Sequence, residues 1–163
     1  MNSIVNFLKQ SDVFIQLTPA QLDLVANLCQ ELTYLAGDII FEEKSSSKEL
    51  YIIAQGEVEI LIHHDSTEPS GSEGETVIAK LRRGQSFGEV ALVDEGLRSA
   101  TARACQGETR LLVIPRDRLL MLCETYPHLG YRLMHNLASD LAMKIRNTDL
   151  RIRDQINNTN PGK

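Results

Sequence analysis

Apolar residues along this chain fall into three textures. Over about residues 19–31, Leu22, Val25, Leu28 and Cys29 recur on one face, which predicts an amphipathic helix. Its start is marked by Thr18-Pro19-Ala20-Gln21. The threonine is a capping side chain, the proline sits where its missing N–H costs nothing, and Gln21 completes a capping box. From Thr33 to Pro115 the apolar runs shorten and turn residues divide them. Ala36-Gly37-Asp38 precedes Ile39-Ile40-Phe41, and Gln55-Gly56-Glu57 between Leu50–Ile53 and Val58–Ile62 predicts a hairpin. Thr76–Leu81, Thr101–Ala104 and Leu111–Ile114 complete seven or eight short strands. From Arg116 the period is helical again, with one helix over 116–125 and a longer one opened by Pro127 and running to about 156. The expected fold is mainly β with flanking helices: an antiparallel β-roll, a jelly-roll-like barrel, over 33–115, with an N-terminal helix and two C-terminal helices. One domain is expected over 1–155, followed by a disordered tail at 157–163. The polar stretch from His63 to Gly74 reads as a mobile hairpin tip.

The second half of the long helix has its own pattern. Leu141, Ile145, Thr148, Ile152 and Gln155 or Ile156 recur at steps of 4, 3, 4 and 3 or 4. Such a seam is either plain core or one side of a self-paired coiled coil. Little chain remains to cover it, and Lys144, Arg146, Arg151 and Arg153 beside it favour a solvated two-helix seam, so a homodimer through this helix is expected.

Composition narrows the possibilities. With 163 residues, 42% of them hydrophobic, the chain can bury one real core. A net charge of −5 argues against general affinity for nucleic acid or anionic lipid. Cys29, Cys105 and Cys123 are odd in number and widely spaced, which fits reduced thiols better than a metal site. The N-terminal stretch is broken by Asn6 and Lys9 and is no signal peptide, and no apolar run approaches the roughly 20 residues of a membrane span. A cytoplasmic protein without a membrane anchor is expected.

Chemistry concentrates at residues 87–104. Gly88 has no Cβ to hold a ligand away. The run Glu89-Val90-Ala91-Leu92-Val93 can form one helical turn whose first N–H groups lack partners and carry partial positive charge, which suits an anion. Arg98 adds a planar fork matched to phosphate oxygens, and Ser99 adds a hydroxyl. Glu89 would repel a phosphate, yet it fits a ligand that also carries a hydroxyl to be accepted.

The pattern Phe-Gly-Glu-x-Ala-Leu, five residues, then Arg-Ser-Ala-Thr resembles the phosphate-binding cassette of cyclic nucleotide-binding domains, the family of bacterial catabolite activators and of regulatory subunits of cAMP-dependent kinase. The resemblance implies that Glu89 takes the ribose 2′-hydroxyl and Arg98 the cyclic phosphate. Gly88, Val90, Ser99 and Ala100 would supply further donors, with Ala91 also in the binding set. On the long helix it places Thr148, with Asp149, against the purine; the alternative is a seam threonine bonded to its own backbone. It implies cAMP as ligand, with cGMP open, because Ser99 after the arginine matches the activator-like branch but serves either base.

The sequence departs from the family at Lys44, where a glycine is usual, followed by Ser45-Ser46-Ser47. That weakens a local turn and is expected to touch no ligand contact. His63-His64 reads as a solvated loop pair, since neighbours on a strand face opposite ways and cannot chelate one ion. Several readings stay open. The domain is a free-standing, non-catalytic sensor signalling to a downstream protein that the sequence does not identify. Otherwise it is the sensor part of a transcription regulator without its DNA reader, a cassette that keeps its shape but has lost its ligand, or a cupin-type enzyme, for which metal ligands are missing.

Overall fold

The computed structural model describes residues 3–64 and 74–159. Two short N-terminal elements open it: helix α1 (Ser3–Leu8) and a 3-10 turn at Asp12–Phe14. Helix α2 (Pro19–Ala26) carries the expected cap in full: Thr18 Oγ1 accepts from Gln21 N and Gln21 Oε1 accepts from Thr18 N. The helix nevertheless ends five residues before the predicted 31. Leu28 and Cys29 donate three residues back, to Val25 and Ala26, tightening the last turn. Gln30 then enters strand β1 (Gln30–Leu35), pairing with Val113. Sheet pairing overrides the helical spacing here.

Among the described residues, eight strands form two four-stranded antiparallel sheets. They are β1, β2 (Ile39–Phe41), β3 (Glu49–Gln55), β4 (Glu57–His64), β5 (Gly74–Arg82), β6 (Ser86–Phe87), β7 (Thr101–Ala104) and β8 (Glu108–Pro115). One sheet runs β1-β8-β3-β6 and the other β2-β7-β4-β5, so the roll is two facing sheets and not a closed barrel. The predicted hairpin at Gln55-Gly56-Glu57 is instead a corner: β3 belongs to one sheet and β4 to the other. Gly56 turns it with φ +88°, and a Cβ there would come within 2.5 Å of Thr109 Oγ1. His63 and His64 lie within β4, where a loop was expected, and the remainder of the proposed hairpin tip, residues 65–73, lies outside the described residues.

Strands β3 and β8 are buried on both faces, which is why Leu50–Ile53 and Leu111–Ile114 read as unbroken apolar runs. Leu50, Ile52, Leu112 and Ile114 face a layer built from α1, α2 and the C-terminal helices. Tyr51, Ile53, Leu111 and Val113 face the interior of the roll with Val58, Leu81, Phe87 and Ala102. Helix α4 (Arg116–Thr125) matches expectation, and α5 (Pro127–Thr159) continues three residues beyond the predicted 156. Helical structure thus includes residues 157–159 of the proposed tail, while 160–163 lie outside the described residues. At 33 residues α5 is about 50 Å long at 1.5 Å per residue. Leu129, Leu133 and Leu137 bury its first third, and the rest runs across the mouth of the roll. No helix is long and apolar enough to cross a membrane among the described residues.

Candidate functional site

Between β5, the segment 85–100 and helix α5 lies a cavity of about 640 Å³. All eight residues proposed from sequence, Gly88, Glu89, Val90, Ala91, Arg98, Ser99, Ala100 and Thr148, line it. The predicted helical turn exists as α3 (Val90–Val93), entered through Gly88 with φ +77°. Ala91 N donates to the Gly88 carbonyl at 3.3 Å and Leu92 N to the Glu89 carbonyl at 3.0 Å. Ala91 therefore presents a buried methyl to the cavity wall, not a free amide. The amides of Glu89 and Val90, and those of Ser99 and Ala100, have no protein partner among the described residues. Four free N–H donors thus flank Arg98 and the Ser99 hydroxyl, an arrangement suited to an anion.

Arg98 is 5% exposed and is held by more than its local sequence suggests. Its Nε donates to Ser47 Oγ at 2.7 Å, Nη1 to the Gly88 carbonyl at 3.1 Å and Nη2 to the Glu49 carbonyl at 2.8 Å. The guanidinium lies 4.2 Å from the centre of the Phe41 ring, a cation–π contact, with Tyr51 behind it. Burial pulls its pKa below the usual arginine value, against the opposing pull of Tyr51, Glu49 and Glu89. Three of its N–H groups are committed to fixing its position, which leaves the rest of the fork for a ligand. Gly88 is needed for this packing: a Cβ there would lie 2.8 Å from Arg98 Nη1 and 2.8 Å from the Glu49 carbonyl.

The Lys44 turn also bears on Arg98, contrary to expectation. Lys44 adopts φ +64°, the left-handed conformation for which glycine is the usual residue. Its N–H donates to the Arg98 carbonyl at 2.7 Å, and Arg98 N donates to the Ser45 carbonyl at 2.9 Å. The departure from the family's glycine thus sits in the turn that clasps the backbone of the phosphate-binding candidate. Ser47, in the same segment, holds its side chain.

Glu89 is buried at the opposite end of the cassette. Lys144, taken as a solvated flank of the α5 seam, points inward. Its Nζ donates to Glu89 Oε1 at 2.6 Å and to the Ser86 carbonyl at 2.9 Å, and Asp140 Oδ2 lies 2.8 Å away. Burial alone would lower the lysine pKa; Glu89 and Asp140 outweigh it and hold the ammonium above its ordinary value. Further along α5, Asn147, Thr148, Arg151 and Gln155 line the same cavity, while Asp149 does not. Arg151 Nη1 donates to the Ile78 carbonyl and bridges α5 to β5. Thr148 Oγ1 donates to the Lys144 carbonyl at 3.0 Å, which is the backbone-bonded alternative, and the residue also lines the cavity. The predicted seam therefore divides: Thr148, Ile152 and Gln155 border the cavity, and Ile145 and Ile156 stand exposed beside it. No local pattern marked Lys144 or Ser47, whose partners are 55 and 51 residues away.

The other side signals resolve simply. His63 sits between Glu43 and Glu75, 3.4 Å from a carboxylate oxygen of each. Among the described residues, no three His, Cys, Asp or Glu side chains stand close enough to hold a metal ion. The three cysteines are free thiols, and burial pushes the pKa of Cys29 up to about 12.

Comparison with known proteins agrees with this geometry. Residues 31–126 match the model of the cyclic nucleotide-binding domain. The cyclic AMP receptor protein of Thermus thermophilus is 34% identical over 145 residues, covering 89% of this chain and 62% of the receptor. The cGMP-dependent protein kinase, isozyme 1, of Drosophila melanogaster is 29% identical over 140 residues, 86% of this chain and 18% of the kinase. Among solved structures, the Thermus thermophilus catabolite activator protein superposes with a TM-score of 0.71 at 35% identity, over 88% of this chain and 62% of that one. The chain thus spans less than two thirds of these relatives. With the fold, the cassette and the matched domain in agreement, this chain belongs to the cyclic nucleotide-binding domain family.

Proposed function

We propose that this chain is a non-catalytic sensor of cyclic nucleotide that prefers cAMP and acts in the cytoplasm. The observation that carries the reading is the pairing of two chemically opposite ends in one cavity. Arg98 with the free amides of Glu89, Val90, Ser99 and Ala100 suits a phosphodiester, and the buried Glu89 carboxylate suits the sugar 2′-hydroxyl. Gly88 and Ala91 shape the wall, and Ser99 adds its hydroxyl. Thr148 lies one helical turn beyond Lys144 and faces the base. Its proton is committed to the Lys144 carbonyl, so its oxygen is left as an acceptor, which favours the exocyclic amine of adenine over the guanine carbonyl. The relatives include receptors named for cAMP and kinases named for cGMP, so the base preference is the finer part of the proposal.

Ligand contacts from both the cassette and α5 would favour one position of the helix over another, and only such a difference can relay binding. The exposed apolar side of α5 would pair with a second copy, and a downstream protein would read the helix position without contact to nucleic acid by this domain. The 62% coverage of the Thermus receptor favours a second reading, in which this chain is the sensor portion of a longer regulator.

Calorimetric titration with cAMP and with cGMP tests the reading. Binding of cAMP in preference to cGMP is expected. Arg98→Ala is expected to abolish detectable binding with an unchanged circular dichroism spectrum. Undiminished affinity in Arg98→Ala would rule out its role, and failure of the native chain to bind either nucleotide would leave the ligand-free cassette as the correct account.

A further inference from the structure

One carboxylate oxygen near Arg98 has no role in the contacts described above. Glu49 Oε2 is buried with no hydrogen-bond partner, although the side chain as a whole is 38% exposed. An orphaned oxygen of this kind is costly unless its charge has something to act on. Its one ion-pair partner among the described residues is Arg98, whose Nη2 lies 3.8 Å away, too far for a hydrogen bond. We propose that Glu49 is the internal counter-ion of Arg98: it balances the buried guanidinium while the cavity is empty, and so holds down the affinity for the anion that Arg98 receives. The proposal rests on the sensor reading above and concerns a residue outside both the cassette and the cavity wall.

Strand β3 brings the two groups together. Glu49 is its first residue, paired with Pro115, and the Glu49 carbonyl accepts from Arg98 Nη2 at 2.8 Å. One nitrogen therefore meets both the backbone oxygen and the carboxylate of the same residue. Arg98 is 5% exposed, and little water screens it, so a charge at this distance acts more strongly than on the surface. The remaining neighbours bring no uncommitted negative charge. Ser47 Oγ and the Gly88 carbonyl fix the guanidinium as neutral acceptors. Tyr51 stays a neutral phenol, because burial and then Glu49 push its pKa up. Glu89 is already matched by an ammonium at 2.6 Å.

Arg98 borders the cavity and Glu49 does not. A phosphodiester in the cavity thus meets a guanidinium whose charge the protein has partly answered. Neutralising Glu49 has two linked consequences. The empty protein loses stability, because a buried cation is left with no carboxylate beside it. The liganded protein loses less, because the phosphate supplies the missing charge, and that difference appears as tighter binding. The partial exposure of Glu49 keeps the effect to a few-fold.

Calorimetry with cAMP on Glu49→Gln, which leaves the backbone carbonyl in place, tests the proposal at about 0.05 M and about 0.5 M salt. Affinity is expected to rise about three- to fivefold at the lower salt, and the gain should shrink at the higher, where screening weakens the native repulsion. Glu49→Asp, which keeps the charge, should show no such gain. Thermal melts without nucleotide should find Glu49→Gln less stable than the native chain, and saturating cAMP should narrow the gap. Glu49→Thr serves as the neutral variant if the glutamine folds poorly. Unchanged or weaker binding by the neutral variant, or a gain that salt does not alter, would overturn the counter-ion role. Absence of cAMP binding by the native chain would overturn the sensor reading, while the melts without nucleotide would still decide whether Glu49 stabilises Arg98.

Discussion

Gly88 shows how the site depends on a residue that has no side chain to offer. From sequence it reads as a place where backbone approaches a ligand; in the fold its first neighbours are the Arg98 guanidinium and the Glu49 carbonyl. Gly88→Ala therefore acts through Arg98. A Cβ would force Nη1 out of its place, and the positive φ would cost about 1–2 kcal/mol in addition. The expected result is a folded but less stable protein whose cAMP affinity falls more steeply than its stability, read by urea titration beside calorimetry. Native affinity in that variant would show that the guanidinium position is not critical. Gly88, Glu89 and Arg98 were legible because they sit within eleven consecutive residues and each has a distinct chemistry. Ser47, the Glu49 carbonyl and Lys144 were not, because they join the site only through sheet pairing and the crossing of α5.

Among the elements, those that announce their own ends were readable. The capping box fixed the start of α2, and turn residues bounded β2, β7 and α4. β1 was hidden because Gln30–Leu35 is an edge strand with mostly exposed side chains and no alternating apolar face. The Gly56 corner was misread for a related reason: a turn between two strands looks the same whether they pair or part into separate sheets. The turn at Glu42–Ser45 holds a more useful case, since Lys44 carries φ +64° with no steric need for its side chain there. Lys44→Gly should relieve the left-handed strain, offset in part by the extra freedom of glycine in the unfolded chain, and stabilise by about 0.5–1 kcal/mol. For a protein of this size that is a melting rise of about 1–4 °C by differential scanning calorimetry. Because the turn grips the Arg98 backbone through two hydrogen bonds, cAMP affinity should hold or improve. A lower melting temperature would mean that the lysine side chain stabilises the turn in a way its geometry does not show.

For the molecule as a whole, α5 does three jobs with different parts of one helix. Its first third is core, packed through Leu129, Leu133 and Leu137. Its second part turns Lys144, Asn147, Thr148 and Arg151 to the cavity. About a quarter turn round the helix, Ile145 and Ile156 remain 62% and 57% exposed, with Ile152 between the two faces at 49%. A helix of this kind cannot shift in response to a ligand without moving its exposed stripe, so the cavity and the proposed dimer seam are mechanically one element. Burying one isoleucine is worth about 1.5–3 kcal/mol, and a symmetric pair buries each position twice. Ile145→Glu with Ile156→Glu places four carboxylates in the proposed seam and spares every cavity-lining residue. Sedimentation should then show a monomer where the native chain is a dimer, with the β-roll intact by circular dichroism. If cAMP binding in that monomer keeps its affinity, the cavity is complete within one chain and pairing serves the relay alone. If the native chain itself sediments as a monomer, the exposed stripe awaits a different protein, and the homodimer is withdrawn while the cavity chemistry stands.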